Sequence, residues 1–349
     1  MKADSDAASA DEPPSPPLSQ RLPGVVSTTM SGLRHPPPYM EEARDAQSIR
    51  LKDGGTARLS WWWAPGYSSS PPATVLFLPG LNNTSYFPFV QHAVSLLRAR
   101  NFTVVVLDYR ATAGQSLTSQ RLFGADSWRD LPEIIKVVVA RSAKGSAFFG
   151  FGHSMGGSCL AKYISAEGPS CIFTAAATIS SPYALSAHQA RLESSPSWRL
   201  LNLITASAAR LSLYKMWLTD RQSRKHLTRV KWHELRRATC LRELEAATIC
   251  PVNGFRDPEE YYAYATPRVE GIAVPLLVVH ALDDPVIGVA ELPFQRLRAN
   301  PRVSVVLTRR GGHLGYYDTD ENSRTLDAVV GAFFERHRNA LQTAPRAKL

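Results

Sequence analysis

The segment Gly150-Phe151-Gly152-His153-Ser154-Met155-Gly156-Gly157 carries the strongest chemical signal in the chain. Its G-x-S-x-G core follows a strand-like run, Ala147–Phe151, and leads into a helix-like run, Gly156–Glu167. Flanking glycines let the chain turn so sharply that the serine oxygen projects above a sheet, while the next backbone N–H groups point at the reacting oxygen. The chemistry served is attack on a carbonyl carbon. A phosphate-binding glycine loop is the competing reading, but G-x-G-x-x-G is absent and no P-loop lysine follows.

A serine hydroxyl is a weak nucleophile until a base removes its proton, and a third group must hold that base in one tautomer. Chain order then asks for serine, acid, histidine. Asp283-Asp284-Pro285 follows a strand-like run, Pro275–His280, and His313 lies in the glycine-flanked loop Gly311-Gly312-His313-Leu314-Gly315. The 29 residues from Asp284 to His313 suit one helix and one strand, so both would emerge at the sheet edge that carries Ser154. Asp284 is preferred to its neighbour Asp283. His280, ending a strand, reads as structural, and His153 points along the turn, away from the nucleophile. His188, His226 and His233 precede the acid and break the order, while Asp318, Asp320 and Glu321 read as solvated loop residues. Phe77-Leu78-Pro79-Gly80-Leu81-Asn82-Asn83 closes another strand, so the backbone N–H groups of Leu81 and Met155 are the natural donors for a developing oxyanion.

Positioning such a site takes a scaffold, and the hydrophobic pattern specifies one. Ser48–Leu51 and Ala57–Trp63 flank the turn Asp53-Gly54-Gly55 as a hairpin, with at least one of Trp61, Trp62 and Trp63 facing the core. Thr74–Leu78, Phe102–Leu107, Ala147–Phe151, Phe173–Ile179, Pro275–His280 and Val303–Thr308 read as strands. Phe87–Arg100, Trp128–Ala140, Gly156–Glu167 (stopped by Gly168) and Ser323–Arg338 read as helices. Strands as nearly uniformly apolar as Phe102–Leu107 are buried on both faces, and their alternation with helices gives a largely parallel sheet covered on both sides. From Ser181 to Gly271 the alternation stops for about 90 residues of helical character, an insertion that would cap the carboxyl edge of the strands, where open α/β sheets bind ligands. The apolar positions Leu200, Leu201, Leu203, Ile204, Leu211, Leu213, Met216 and Trp217 within it either line an acyl tunnel or pack on the sheet, packing being the ordinary expectation.

Composition bounds the remainder. At 44% hydrophobic residues the 349-residue chain buries a sizeable core. Residues 1–40, rich in Pro, Ser and Ala, read as a flexible tail, 41–340 as the folded domain with its cap at about 182–270, and 341–349 as a second tail. A polar, acidic start without an apolar core argues against a secretory signal, and no stretch reaches the ~18–20 apolar residues of a membrane span. The sequons at Asn82, Asn83 and Asn101 then read as chance, and the four cysteines as reduced buried thiols. The expected location is cytoplasmic, at most peripheral to membranes. Much of the net charge of +10 is local, since Arg210–Arg242 holds ten Lys/Arg against two acidic residues. No nucleic-acid-binding pattern accompanies it, which leaves a solvated face or attraction to anionic lipid.

Taken together these segments resemble an α/β-hydrolase, and more narrowly the group of YheT-like bacterial esterases, EMB8-like plant proteins, animal lipases and yeast medium-chain ester enzymes. The resemblance covers about residues 45–338. It rests on Leu78-Pro79-Gly80-Leu81, Gly152-His153-Ser154-Met155-Gly156-Gly157, Pro251-Val252-Asn253-Gly254-Phe255 with Tyr261-Tyr262, Asp283-Asp284-Pro285, and Gly311-Gly312-His313-Leu314-Gly315. It implies Ser154 as nucleophile, His313 as base, Asp284 as orienting acid, and Leu81 and Met155 as the oxyanion hole, without metal or organic cofactor. Small-molecule or lipid esters are the implied substrates. Pro79 stands where the family commonly has histidine, and Asp108-Tyr109-Arg110-Ala111-Thr112-Ala113-Gly114 replaces its Asn-Arg-Gly-rich turn. The N-terminal membrane helix of many animal members has no counterpart, so their membrane residence does not carry over. Three readings stay open: a hydrolase, an alcohol O-acyltransferase that makes esters from acyl-CoA with the same triad, and a non-catalytic binding module.

Overall fold

The computed structural model describes residues 43, 45–65, 73–316 and 325–343. The readings of 1–40 as a tail and of Asp318, Asp320 and Glu321 as loop residues lie outside them. Among the described residues eight strands form one sheet: β1 (Asp45–Arg50), β2 (Thr56–Trp62), β3 (Ala73–Leu78), β4 (Phe102–Asp108), β5 (Phe148–His153), β6 (Ala175–Ile179), β7 (Leu276–Ala281) and β8 (Val303–Thr308). Their spatial order is β1-β2-β4-β3-β5-β6-β7-β8. Only β2 pairs antiparallel, with β1 and with β4, and the other ladders are parallel. The turn between β1 and β2 has Gly54 at φ 80°, as a hairpin of this kind requires. Trp61 and Trp62 are both buried.

Every residue of β3 to β7 is buried, because helices cover both faces. Helices α1 (Pro88–Ala99) and α12 (Thr325–Thr343) shield one face, where Phe77, Phe102, Phe149, Phe151 and Phe334 pack. On the other face lie α2 (Leu131–Arg141), α3 (Met155–Glu167) and α11 (Phe294–Ala299). The helix expected from Trp128 starts later. Residues Ala125–Asp130 form a 3₁₀ turn and α2 begins at Leu131, where Pro132 suits a first turn that needs no N–H donor. The last helix runs to Thr343, past the expected end at Arg338, so the tail expected from 341 begins as helix. Two of the four thiols, Cys159 and Cys250, are buried, while Cys171 and Cys240 are only half-buried in surface segments.

Between β6 and β7 run seven helices: α4 (Leu185–Leu192), α5 (Pro196–Thr219), α6 (Arg221–Arg224), α7 (Trp232–Arg237), α8 (Leu241–Ala247), α9 (Ile249–Asn253) and α10 (Pro258–Ala265). They enclose a core of their own that includes Leu213, Leu235, Ala247, Val252 and Tyr261. The Pro251–Phe255 and Tyr261-Tyr262 motifs tie this layer to the loop and 3₁₀ turn that precede α2. Asn253 accepts from the Leu122 amide (2.9 Å) and donates to Asp126 (2.9 Å). The Tyr261 hydroxyl accepts from the Ala125 amide at 2.7 Å.

The apolar positions of α5 divide: Leu213, Met216 and Trp217 pack into the core of the inserted helices rather than on the sheet, whereas four others face solvent. Leu200, Leu203, Ile204 and Leu211 are exposed at 58%, 40%, 57% and 70%, because the helix buries its opposite face, Asn202, Ala206 and Leu213.

Candidate active site

Three strand ends deliver the three side chains. Ser154 follows β5 at φ 49°, ψ −123°, a conformation costly for a residue with a Cβ. The strain is held from both sides: the Ser154 amide donates to the Ile179 carbonyl at the end of β6 (2.9 Å), and its carbonyl accepts from Ser158 in α3 (3.1 Å). Close backbone packing needs glycine next to it. A Cβ at Gly156 would overlap the carbonyl oxygens of Leu78 and Pro79, and one at Gly80 would stand 3.1 Å from the Ser154 Cβ. The elbow and the loop after β3 are therefore pressed together, which sets Leu81 beside the serine.

Asp284 sits in the turn after β7 and His313 in the loop after β8. His313 Nε2 lies 3.0 Å from Ser154 Oγ, and its Nδ1 lies 3.0 Å from Asp284 Oδ2. The other Asp284 oxygen accepts from the amides of Val286 (2.8 Å) and Ile287 (2.9 Å). Burial alone would raise this carboxyl. The His313 charge and hydrogen bond outweigh it, with help from His280 and the Ile287 amide, and hold it below its ordinary value. An ionised carboxylate facing Nδ1 fixes the tautomer that leaves Nε2 free to take a proton from the serine.

The neighbouring Asp283 is turned elsewhere. Its Oδ1 accepts from the Gly312 amide at 2.8 Å, tying the acid turn to the histidine loop, and burial pushes its carboxyl up. His280 is fully buried with Nε2 3.0 Å from the Ile287 carbonyl, and His153 is buried among Phe77, Phe89 and Phe151. Neither lines the cavity described next.

Ser154, His313, Leu81 and Met155 all line one cavity of about 390 Å³ under the inserted helices. Leu81, Met155, Glu245 and Tyr261 also border a second chamber of about 140 Å³, walled by Leu213 and Met216. Three contributors were not found by reading the sequence. His188 reaches the first cavity from α4, with Nδ1 2.7 Å from Glu291 Oε2, and burial with the nearby Arg191 charge lowers its pKa to about 3. Arg191 pairs with the other Glu291 oxygen, which blunts the attraction Glu291 would exert on a protonated His188. Glu245 stands between the chambers, hydrogen-bonded by the Tyr262 hydroxyl. Asp108 accepts from the Ser85 amide (2.7 Å) and hydroxyl (2.8 Å), so the unusual Asp108–Gly114 turn anchors the far end of the Leu81 loop. Chain order rules out His188 as the base and says nothing of a role in the wall. For Glu245 and Asp108 no local pattern sets them apart from surface carboxylates.

Arg110, in the same turn, is bound by Asp53 and Asp130, so it braces the β1–β2 hairpin against α2 at a distance from the serine. No helix among the described residues is long and apolar enough to cross a membrane.

A sequence profile described as the Alpha/beta hydrolase family matches residues 75–328. Phospholipase ABHD3 of Mus musculus is 28% identical over 276 residues, 77% of this chain and 66% of that protein. Medium-chain fatty acid ethyl ester synthase/esterase 2 of Saccharomyces cerevisiae is 30% identical over 280 residues, 74% of this chain and 61% of that protein. The chain thus spans about two thirds of the length of these curated relatives. Among solved structures, the Pyrococcus furiosus esterase Pf2001 superposes with a TM-score of 0.55 at 17% identity, over 87% of this chain and 95% of that one.

Proposed function

The chain belongs to the alpha/beta hydrolase family, and from that premise we propose that it cleaves carboxylic esters through an acyl-enzyme on Ser154. One observation carries the reading: Ser154 Oγ, His313 and Asp284 lie in an unbroken hydrogen-bonded line with 3.0 Å at each step. His313 Nε2 takes the serine proton as Oγ attacks the ester carbonyl. The amides of Leu81 and Met155 receive the oxyanion, a contribution of ~10²–10³ in rate per donor. Collapse expels the alcohol with the proton from His313, and a water activated by the same nitrogen releases the acid.

The cap formed by about residues 182–270 closes this site from above. The substrate is a small-molecule or lipid ester, a reading supported by the names of the phospholipase and ester-enzyme relatives and by the predominantly apolar lining of both chambers. Attraction to anionic membranes belongs to the same proposal and rests on the basic segment Arg210–Arg242. Acyl transfer to an alcohol, the second reading, is favoured by the synthase/esterase name of the yeast relative alone. Product analysis with an acyl-CoA and ethanol separates the two. A fluorophosphonate probe tests the common core. It should label the wild-type chain and leave Ser154→Ala unlabelled, and equal labelling of both refutes the assignment.

A further inference from the structure

Helix α5 turns five of its apolar side chains outward. Leu200, Leu203, Ile204, Leu211 and Leu218 are exposed at 58%, 40%, 57%, 70% and 61%. At 100° per residue they fall within an arc of roughly 100°, a single stripe along the helix. Isolated surface leucines are ordinary, but five on one face of one helix, spaced by at most about two turns, form an apolar row. The reverse face of the same helix is the roof of the site. Thr205 and Ala208 line the Ser154 cavity, and Leu213 and Met216 line the second chamber. One helix therefore separates the patch from the serine.

Charge selects what covers the patch. Lys215, Arg221, Arg224, Lys225 and Arg229 are all exposed on α5 and just beyond its end. Arg224 is held on the carbonyls of Trp217 (2.7 Å) and Leu218 (2.9 Å), at the end of the stripe. The two acidic residues of the segment are engaged locally, Asp220 with the Gln222 and Ser223 amides and Glu234 with Lys231. A second copy of the chain docking symmetrically would oppose this basic face with itself, a repulsive arrangement. An anionic lipid surface satisfies both features, taking apolar side chains into the acyl boundary and basic ones among the headgroups.

We propose that α5 is the membrane-docking face of the protein, lying flat on an anionic bilayer with this stripe inserted, so that a lipid ester passes around the helix into the cavity below. The second half of that statement rests on the hydrolase reading above. The docking half does not.

The test is sedimentation of the full chain with vesicles of phosphatidylcholine alone or of phosphatidylcholine with phosphatidylserine. Wild type should bind the anionic vesicles, less at higher salt. Leu211→Asp with Leu218→Asp should weaken partitioning on the order of 100-fold, with unchanged circular dichroism and unchanged turnover of a water-soluble short-chain ester. Arg221→Glu with Lys225→Glu should weaken binding and flatten its salt dependence. Ser154→Ala should bind like wild type, so loss of probe labelling and loss of docking report on separate claims. Vesicle binding indifferent to both double variants overturns the inference. So does a wild-type dimer that Leu211→Asp with Leu218→Asp converts to a monomer, since the stripe would then belong to a second copy.

Discussion

Replacing Glu245 by glutamine should stabilise the protein at neutral and alkaline pH and change little in acid. The carboxyl lies on α8 between the two chambers. Burial raises its pKa from 4.5 to about 7, against the opposing effects of the Tyr262 hydrogen bond and the Arg242 charge. A group with a raised folded-state pKa keeps its stabilising share below the unfolded value and loses it as pH climbs through the folded one. The loss therefore runs from about pH 4.5 to about pH 7. At about 1.4 kcal/mol per tenfold change in proton affinity, the ceiling is about 3 kcal/mol, and water admitted by the cavity lowers it to between ~1 and ~3 kcal/mol. Glutamine keeps the shape and an acceptor for the Tyr262 hydroxyl but cannot ionise. Thermal unfolding at pH 4.5 should match wild type, whereas at pH 8 the midpoint should rise by about 2–6 °C. A second readout follows from the position. An acyl chain reaching the second chamber must pass this carboxylate, so KM for longer-chain esters should rise above pH 7 in wild type and stay level in Glu245→Gln. Parallel stability–pH curves for the two proteins would refute the argument.

The two adjacent aspartates separate cleanly. Asp284→Asn should lower kcat by up to ~10⁴ through loss of the productive histidine tautomer, whereas Asp283→Asn, which still offers an acceptor to the Gly312 amide, should cost less than about tenfold; steady-state kinetics giving the reverse ranking would show that the acid is the other residue. Gly156→Ala should lower the unfolding free energy by ~1–3 kcal/mol or more, read as a lower denaturant midpoint, since the added carbon meets fixed backbone oxygens of Leu78 and Pro79; an unchanged midpoint would mean that the elbow and the β3 loop are not as tightly packed as described.

Much of the scaffold was legible because its signals are local. A strand buried on both faces is mostly apolar, so Phe102–Leu107 and Pro275–His280 are recognisable without context, and the Gly-rich elbow needs only its own neighbours. The inserted helices were legible as helices but not as surfaces. Leu200, Leu203, Ile204 and Leu211 have the spacing of a buried stripe, and nothing in that spacing says that the buried face is the opposite one, carrying Asn202, Ala206 and Leu213. Apolar periodicity reports that a stripe exists, and what it faces is decided by tertiary contacts. His188, Glu245 and Asp108 are not placed at the site by sequence for the same reason. Their partners Glu291, Tyr262 and Ser85 are distant in sequence or inconspicuous, and a carboxylate on a short amphipathic helix such as Leu241–Ala247 looks solvated until the cavity beside it is seen.

Asp283 and Asp284 show how little sequence distance is needed to give two identical groups opposite behaviour. Both are nearly inaccessible, at 3% each, so desolvation acts on both. What differs is the number of donors each faces. Asp284 receives two backbone N–H groups and His313, and its charged form wins. Asp283 receives the Gly312 amide through one oxygen while burial and its charged neighbour push its carboxyl up. The pairing has a structural logic. The Gly312 bond fixes the loop that carries His313, and the Asp284 bond fixes the ring on that loop. One turn after β7 thereby sets both the position and the ring orientation of His313, while β5 and α3 set Ser154. The relative placement of the three side chains depends on the spacing of parallel strand ends, and β5, β6 and β7 are buried along their whole length.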